Sequence, residues 1–261
     1  MKLISLNIWG GAIHEAFLVF VEKHAADTDI FCFQEAYSSP RAAVSNGLYL
    51  DIFEELKGML PEFQSFFSPL QENFAGNSAI AIPSAFGLAT FVRRSHPVQD
   101  HGFVFAYRHQ NALKGSDLTT LGTGFHHFSL IANGAPLTVV NMYGTAYPRD
   151  KLDTPARLAQ SEILKEFLDG VNGPKIACGD FNLFPETQSI TMLENPMRNL
   201  VKEFSITDTR GIINEQKYAG GIIQRFADYT FVSPRIRVES FEVPNVPISD
   251  HLPMILKFSL Q

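Results

Sequence analysis

The chain has 261 residues, 45% of them hydrophobic and 18% charged, with a formal net charge of −6. This is the composition of a globular chain with one large core, and it lacks the basic surplus of a protein that tracks duplex nucleic acid. The only cysteines, Cys32 and Cys178, sit in the apolar runs IFCFQE and IACGDF, which excludes a disulfide framework or a cysteine-spaced zinc site and points to a reducing compartment.

The opening MKLISLNIWGG is strand-like from the start and has no apolar core of a secretory signal. Leu3–Asn7 is the first predicted strand, and Glu15–Ala25 has helical spacing that places Phe17, Phe20 and Val21 on one stripe. A buried strand follows over Asp29–Gln34, with Glu35 just beyond its end, and a helix is expected over Leu48–Met59, stopping before Pro61. The longest apolar stretch, Ala79–Val92, is too short for a bilayer and is interrupted by Pro83 and Gly87, so it reads as a core strand with its approach loop. A cytoplasmic protein with no stable membrane insertion is the expectation. From Phe66 to Val140 the chain is strand-rich, with a turn at Asn133–Pro136. DTPARLAQSEILKEFLD then predicts a helix with Thr154 or Asp153 as N-cap, Pro155 in its first turn, and Leu158, Ile163, Leu164, Phe167 and Leu168 approximating one face. Short helical pieces are expected between Glu186 and Phe204, and three strands close the chain.

Early β-α-β order, then meanders, fits a single domain over residues 1–261: a four-layer α/β sandwich of two packed mixed sheets with helices on the outer faces. A doubly wound parallel sheet is the competing reading, and the long β-only middle counts against it.

Polar residues recur where predicted strands stop. The stretch KIACGDFN turns at Gly179 and presents Asp180 and Asn182, which as residues i and i+2 of extended chain share a face while Phe181 turns back to pack. Asn7 ends the first strand, Glu35 follows the second, Asp228 opens DYTFV, and Asp250 and His251 open the last. Each alone is ordinary loop chemistry. Together they can converge at one sheet edge.

SLNIWG, FQE, GDFN, DYTFVSP and SDHLP, in that order across the whole chain, resemble the endonuclease/exonuclease/phosphatase superfamily of Mg²⁺-dependent phosphoesterases. GTAYPRDKLDTPARLAQS is similar to a stretch in bacterial members. The resemblance implies Glu35 as the main metal ligand, with Asn7 and Asp250 contributing, for Mg²⁺ with Mn²⁺ able to substitute. It implies Asp180 and Asn182 as the groups that orient and deprotonate a water, and His251, oriented by Asp228, as a donor to a phosphoryl oxygen. Tyr143, in VVNMYG, stands where many relatives carry histidine and is assigned to the site as a hydrogen-bond donor to phosphate, although a phenol with an ordinary pKa of about 10 is no ready proton donor near neutrality. Asn141 and Arg149 are assigned to substrate, and Trp9, Asn111, Lys114 and Lys151 are further selectivity candidates. The expected partner is a phosphoester, with a small molecule fitting the acidic balance slightly better than nucleic acid. A nucleic-acid enzyme and a catalytically silent binding domain are the alternatives.

Overall fold

The computed structural model describes residues 1–132, 134–217 and 224–261. Strand β1 (Lys2–Asn7) leads through helix α1 (His14–Ala25) into β2 (Ile30–Ser38), which lies parallel to β1. Parallel neighbours need such a crossover, because the ends to be joined lie at opposite edges of the sheet. Next come a small hairpin of β3 (Val44–Ser45) and β4 (Leu48–Tyr49), helix α2 (Ile52–Met59), β5 (Phe63–Glu72), and a second hairpin of β6 (Phe74–Ala75) and β7 (Ser78–Ala79). Strand β8 (Ala85–Arg93) pairs antiparallel with both β2 and β5. An antiparallel meander runs through β9 (Val98–Tyr107), β10 (Thr123–Ala132) and β11 (Ala135–Tyr143); the turn expected at Asn133–Pro136 has its first residue outside the described ones.

Helix α3 (Pro155–Gly170) then crosses to β12 (Lys175–Asp180), parallel to β11. The remainder holds α4 (Gln188–Thr191), β13 (Arg198–Asn199), α5 (Leu200–Glu203) and α6 (Ile212–Lys217), and closes with β14 (Asp228–Val232), β15 (Ile236–Glu242) and β16 (Met254–Leu260).

The result is two six-stranded mixed sheets, ordered β15-β16-β1-β2-β8-β5 and β13-β14-β12-β11-β10-β9. Each holds one parallel pair, spanned by α1 in the first sheet and by α3 in the second. The period-two alternation of β1 and β2 builds the layers: Leu3, Ile30 and Cys32 face the second sheet, while Ile4, Leu6, Phe31 and Phe33 face outward. Phe17, Phe20 and Val21 of α1 and Ile52, Phe53 and Leu56 of α2 cover that outer face, and Leu164 and Leu168 of α3 are buried with the second sheet. This is the four-layer sandwich. Cys32 of β2 and Cys178 of β12 meet across the inter-sheet layer, both fully buried, and burial pushes the Cys32 thiol well above its ordinary value, with Cys178 beside it adding to the rise. Among the described residues no helix is long and apolar enough to cross a membrane.

Four local expectations change. The helix over Leu48–Met59 begins only at Ile52, because Leu48 and Tyr49 pair with the preceding strand. Glu35 lies inside β2 rather than beyond it. Gly179 is a residue of β12, not a turn: its φ is +136°, and a Cβ there would come within 2.1 Å of the Met142 carbonyl, so only glycine lets the strand continue to Asp180. The last strand starts at Met254, leaving Asp250 and His251 in the loop before it.

Candidate active site

The parallel pairs of both sheets end on the same side of the molecule, and the polar strand ends meet there. In the second sheet, Tyr143, Asp180 and Asp228 are direct partners across β11, β12 and β14, a single row at the sheet's end. In the first sheet Glu35 reaches the cleft by a β-bulge. Between the pairs Phe33–Ala89 and Ala36–Gly87, β2 carries one residue more than β8, and Glu35 adopts φ +54°. A bulge re-aims a side chain that strict alternation would send to the outer face with Phe31 and Phe33. Glu35 Oε1 accepts a hydrogen bond from Tyr143 Oη at 3.1 Å, which ties the two sheets together at the cleft.

The centre is a carboxylate–imidazole–carboxylate cluster. His251 Nδ1 lies 2.8 Å from Asp228 Oδ2, and its Nε2 lies 3.9 Å from Asp180 Oδ2. With Nδ1–H donated to Asp228, Nε2 is the nitrogen presented to the cleft. Asp180, Asp228 and His251 each offer a ligand atom within 4.8 Å of the others, so the group has the geometry to hold a metal ion. All three are at most 3% exposed. Burial raises Asp180 above the ordinary carboxylate range while Lys151 and Arg210 pull it back; Asp228 is pushed up further, by burial and then by the charge of Asp180.

Asn182 is set by a local device other than extended chain. Its φ is +59°, its backbone N–H donates to Asp180 Oδ1 at 2.9 Å, and its side-chain Nδ2 donates to the Gly144 carbonyl at 3.0 Å. This Asx-type geometry holds both side chains at the cleft. Phe181 between them is fully buried, as the pattern predicts. Lys151, itself only 4% exposed, donates Nζ to Asn182 Oδ1, and burial pulls its ammonium down to about 8.

Two assigned residues take other places. Asn141 is fully buried between the sheets, accepting from Gln34 Nε2 at 2.7 Å and donating to Thr90 Oγ1 at 3.2 Å. It is not among the residues that line the cleft: it shares the inward face of β11 with Tyr143 but lies two residues deeper, between the sheets. Asn7 is also fully buried; its Nδ2 donates to Asp180 Oδ2 at 2.9 Å and its Oδ1 accepts the Trp9 N–H at 3.0 Å. Its amide thus braces Asp180 through Nδ2, while Oδ1, which accepts one N–H, keeps a second lone pair. Asp250 lines the cleft, paired with Arg210 Nη2 at 3.0 Å. Trp9, Arg149 and Lys151 line the cleft as well. Asn111, which accepts the Glu72 N–H, and Lys114 lie outside it. Arg210 is the residue sequence reasoning missed; it stands in a segment without periodicity, and only the fold brings it against Asp250.

Fold and site together define a two-sheet α/β protein with an acid- and histidine-bearing cleft at one sheet end. The Endonuclease/Exonuclease/phosphatase family model matches residues 4–251, and the chain belongs to that family. Among solved structures it is similar to a mannosyl-6-phosphatase of Bacteroides thetaiotaomicron, at 20% identity and a TM-score of 0.68 with all of both chains covered. The human Nocturnin catalytic domain with bound sulfate is 19% identical, with a TM-score of 0.65 over 100% of this chain and 93% of that one. A family protein of Beutenbergia cavernae is 18% identical, with a TM-score of 0.72 over 100% and 71%. No curated protein sequence matched the chain.

Proposed function

We propose that this protein hydrolyses a phosphoester with the help of a bound divalent cation, Mg²⁺ by preference and Mn²⁺ as a substitute. The observation that carries the reading is the cluster of Asp180, Asp228 and His251, with ligand atoms within 4.8 Å of one another. The donor set fits a hard cation, which prefers carboxylate oxygens. Asp180 and Asp228 are also held above the ordinary carboxylate range by burial, a penalty that a neighbouring cation removes. Glu35 is the carboxylate proposed to hold it, with Asp250 of the same cleft contributing. When bound, the ion neutralises phosphoryl charge and stabilises the departing oxygen.

The chain's own groups do the rest. Asp180, braced by Asn7 and by the Asn182 N–H, orients a water and takes its proton. His251, held at Nδ1 by Asp228, presents Nε2 to a phosphoryl oxygen as charge builds there. Lys151 and Arg210 add positive charge to the same pole. Tyr143 stays a phenol at neutral pH, because burial and the charge of Glu35 raise it well above its ordinary value, so it acts as a hydrogen-bonding brace and not as an acid.

A compact substrate is favoured over a duplex. The cleft encloses about 390 Å³, the low end of small-molecule sites, on a chain of net charge −6. The test is a panel of abasic DNA, single-stranded RNA, bis-p-nitrophenyl phosphate, inositol phosphates and sphingomyelin, assayed with Mg²⁺, with Mn²⁺ and with a chelator. Turnover of at least one ester that disappears with chelator is expected. Metal-independent turnover, or none on any ester, sinks the proposal.

A further inference from the structure

The polar pole accounts for only part of the cleft. Adjoining it is a wall built from Trp9, Tyr37, Leu48, Phe74, Phe86 and Leu118. All six belong to, or pack against, the apolar cluster on the outer face of the first sheet; Tyr37, Leu48, Phe74 and Phe86 are at most 5% exposed, so the wall is the cleft-side edge of a packed core. The small hairpins β3–β4 and β6–β7 supply Leu48 and Phe74, and Trp9 comes from the turn after β1. That turn is pressed onto the wall: a Cβ at Gly10, φ +58°, would meet Tyr37 at 2.9 Å and Leu48 at 3.0 Å.

The wall begins at the catalytic pole itself. Phe86 is in ring contact with Tyr37, Phe74 and Tyr143, with centroids 5.3, 5.8 and 5.7 Å away, and the hydroxyl of that same Tyr143 is hydrogen-bonded to Glu35. A phosphoryl group held at the pole therefore has aromatic and aliphatic carbon beside it, within the length of one small alcohol. Trp9 and Leu118 are only partly buried, so part of the wall's apolar surface is open to the cleft. Apolar surface left open in a concave site is surface for a ligand to cover.

We infer that the substrate is a small phosphoester whose alcohol portion is apolar, an aryl or alkyl alcohol, lying on this wall while the phosphoryl group sits among Glu35, Asp180 and His251. The inference rests on the phosphoesterase reading and adds the leaving group to it. A sugar lying on this wall would press hydroxyls against carbon, and only polar groups elsewhere in the lining, such as Asn46, Asn77 and Thr123, could answer them.

Benzyl phosphate, n-hexyl phosphate and glucose 6-phosphate, and the methyl diester of each, all release a primary alcohol, so a difference in rate among them reflects binding of that alcohol. With the full chain and Mg²⁺, kcat/KM for the benzyl and hexyl esters is expected to exceed that of the sugar ester by about 10- to 100-fold. Leu118→Asp should reduce that ratio several-fold by placing a charge on the wall. Binding is read separately through Trp9, the chain's single tryptophan. Benzylphosphonate, which has no ester bond to cleave, should shift its emission at concentrations at least about tenfold below those needed for methylphosphonate. Equal or better turnover of the sugar ester overturns the apolar wall while leaving the phosphoesterase reading intact. If no ester is cleaved, the phosphoesterase reading fails, and the two phosphonates decide the wall alone: equal binding sinks it.

Discussion

Asp180 shows what it costs to place a carboxylate where chemistry can use it. Buried beside Asp228, it is held partly toward its neutral form, and the folded chain tolerates this because Asn7, the Asn182 N–H and two nearby cations answer its charge. Sites built this way trade stability for activity. Asp180→Asn should lower metal-dependent turnover by at least about 10³-fold, the loss of a proton acceptor, while the metal-free protein melts no lower than the parent. A variant that retains activity refutes the role of Asp180. Tyr143→Phe removes one hydrogen bond to the Glu35 carboxylate and should cost about 10- to 100-fold in kcat. A loss as large as that of Asp180→Asn would make Tyr143 a participant in proton transfer. Most of these residues are legible in the sequence because a polar residue at the end of an apolar run is conspicuous. Asn141 shows the limit: two positions before Tyr143 it points to the same face of β11, and alternation does not say how far along that face the cleft reaches.

At the scale of elements, α3 and the loop before it form one device. Arg157 is fully buried and donates to the carbonyls of Thr145, Ala146, Pro148 and Leu152 and to the Asp150 carboxylate. Gln160 Oε1 accepts from the Thr145 N–H and hydroxyl, each at 2.9 Å. Together they fix the segment that delivers Arg149 and Lys151 to the cleft. Arg157→Ala leaves several buried carbonyls without partners and should lower unfolding free energy by about 3 kcal/mol, measured from the urea midpoint at constant slope. A loss below about 0.5 kcal/mol would mean that the loop is held by other contacts. The helix itself was readable down to its cap: Thr154 Oγ1 accepts the Arg157 N–H, and Asp153, the alternative cap, instead accepts the Gln188 and Ser189 N–H groups at the start of α4. No periodicity could disclose that a buried arginine serves the loop, since on its stripe it resembles any solvent-facing residue. The bulge at Glu35 was equally hidden, because an extra residue in one strand is defined only against its neighbour.

For the molecule as a whole, the two-sheet architecture follows from the order of predicted elements, and the convergence of distant strand ends was expected from motif order. Which ends touch had to come from pairing. One consequence appears in acid. His126 is 2% exposed in the inter-sheet layer, with Thr90 Oγ1 at 3.0 Å from its Nδ1, and burial lowers its pKa from 6.5 to about 3. Its folded value lies below its unfolded one, so the unfolded chain binds the extra proton first. The stabilisation from keeping His126 neutral is complete above about pH 6.5 and declines as pH falls toward 3, by roughly 1.4 kcal/mol per unit. Asp180 and Asp228, shifted upward, contribute with the opposite slope. His126→Asn should therefore flatten the dependence of the melting temperature on pH between about 6.5 and 4, whatever its effect on absolute stability. An unchanged slope would show that other groups govern acid unfolding.

The paired sulfurs at the centre offer a clock for the sandwich. Cys32 belongs to one sheet and Cys178 to the other, and neither has surface to offer a reagent while the halves are joined. Modification by an aromatic disulfide must wait for the layers to part, so its rate at saturating reagent measures that parting directly. If the sandwich opens as a unit, both thiols will be consumed in one kinetic phase; two phases would reveal that one half loosens before the other.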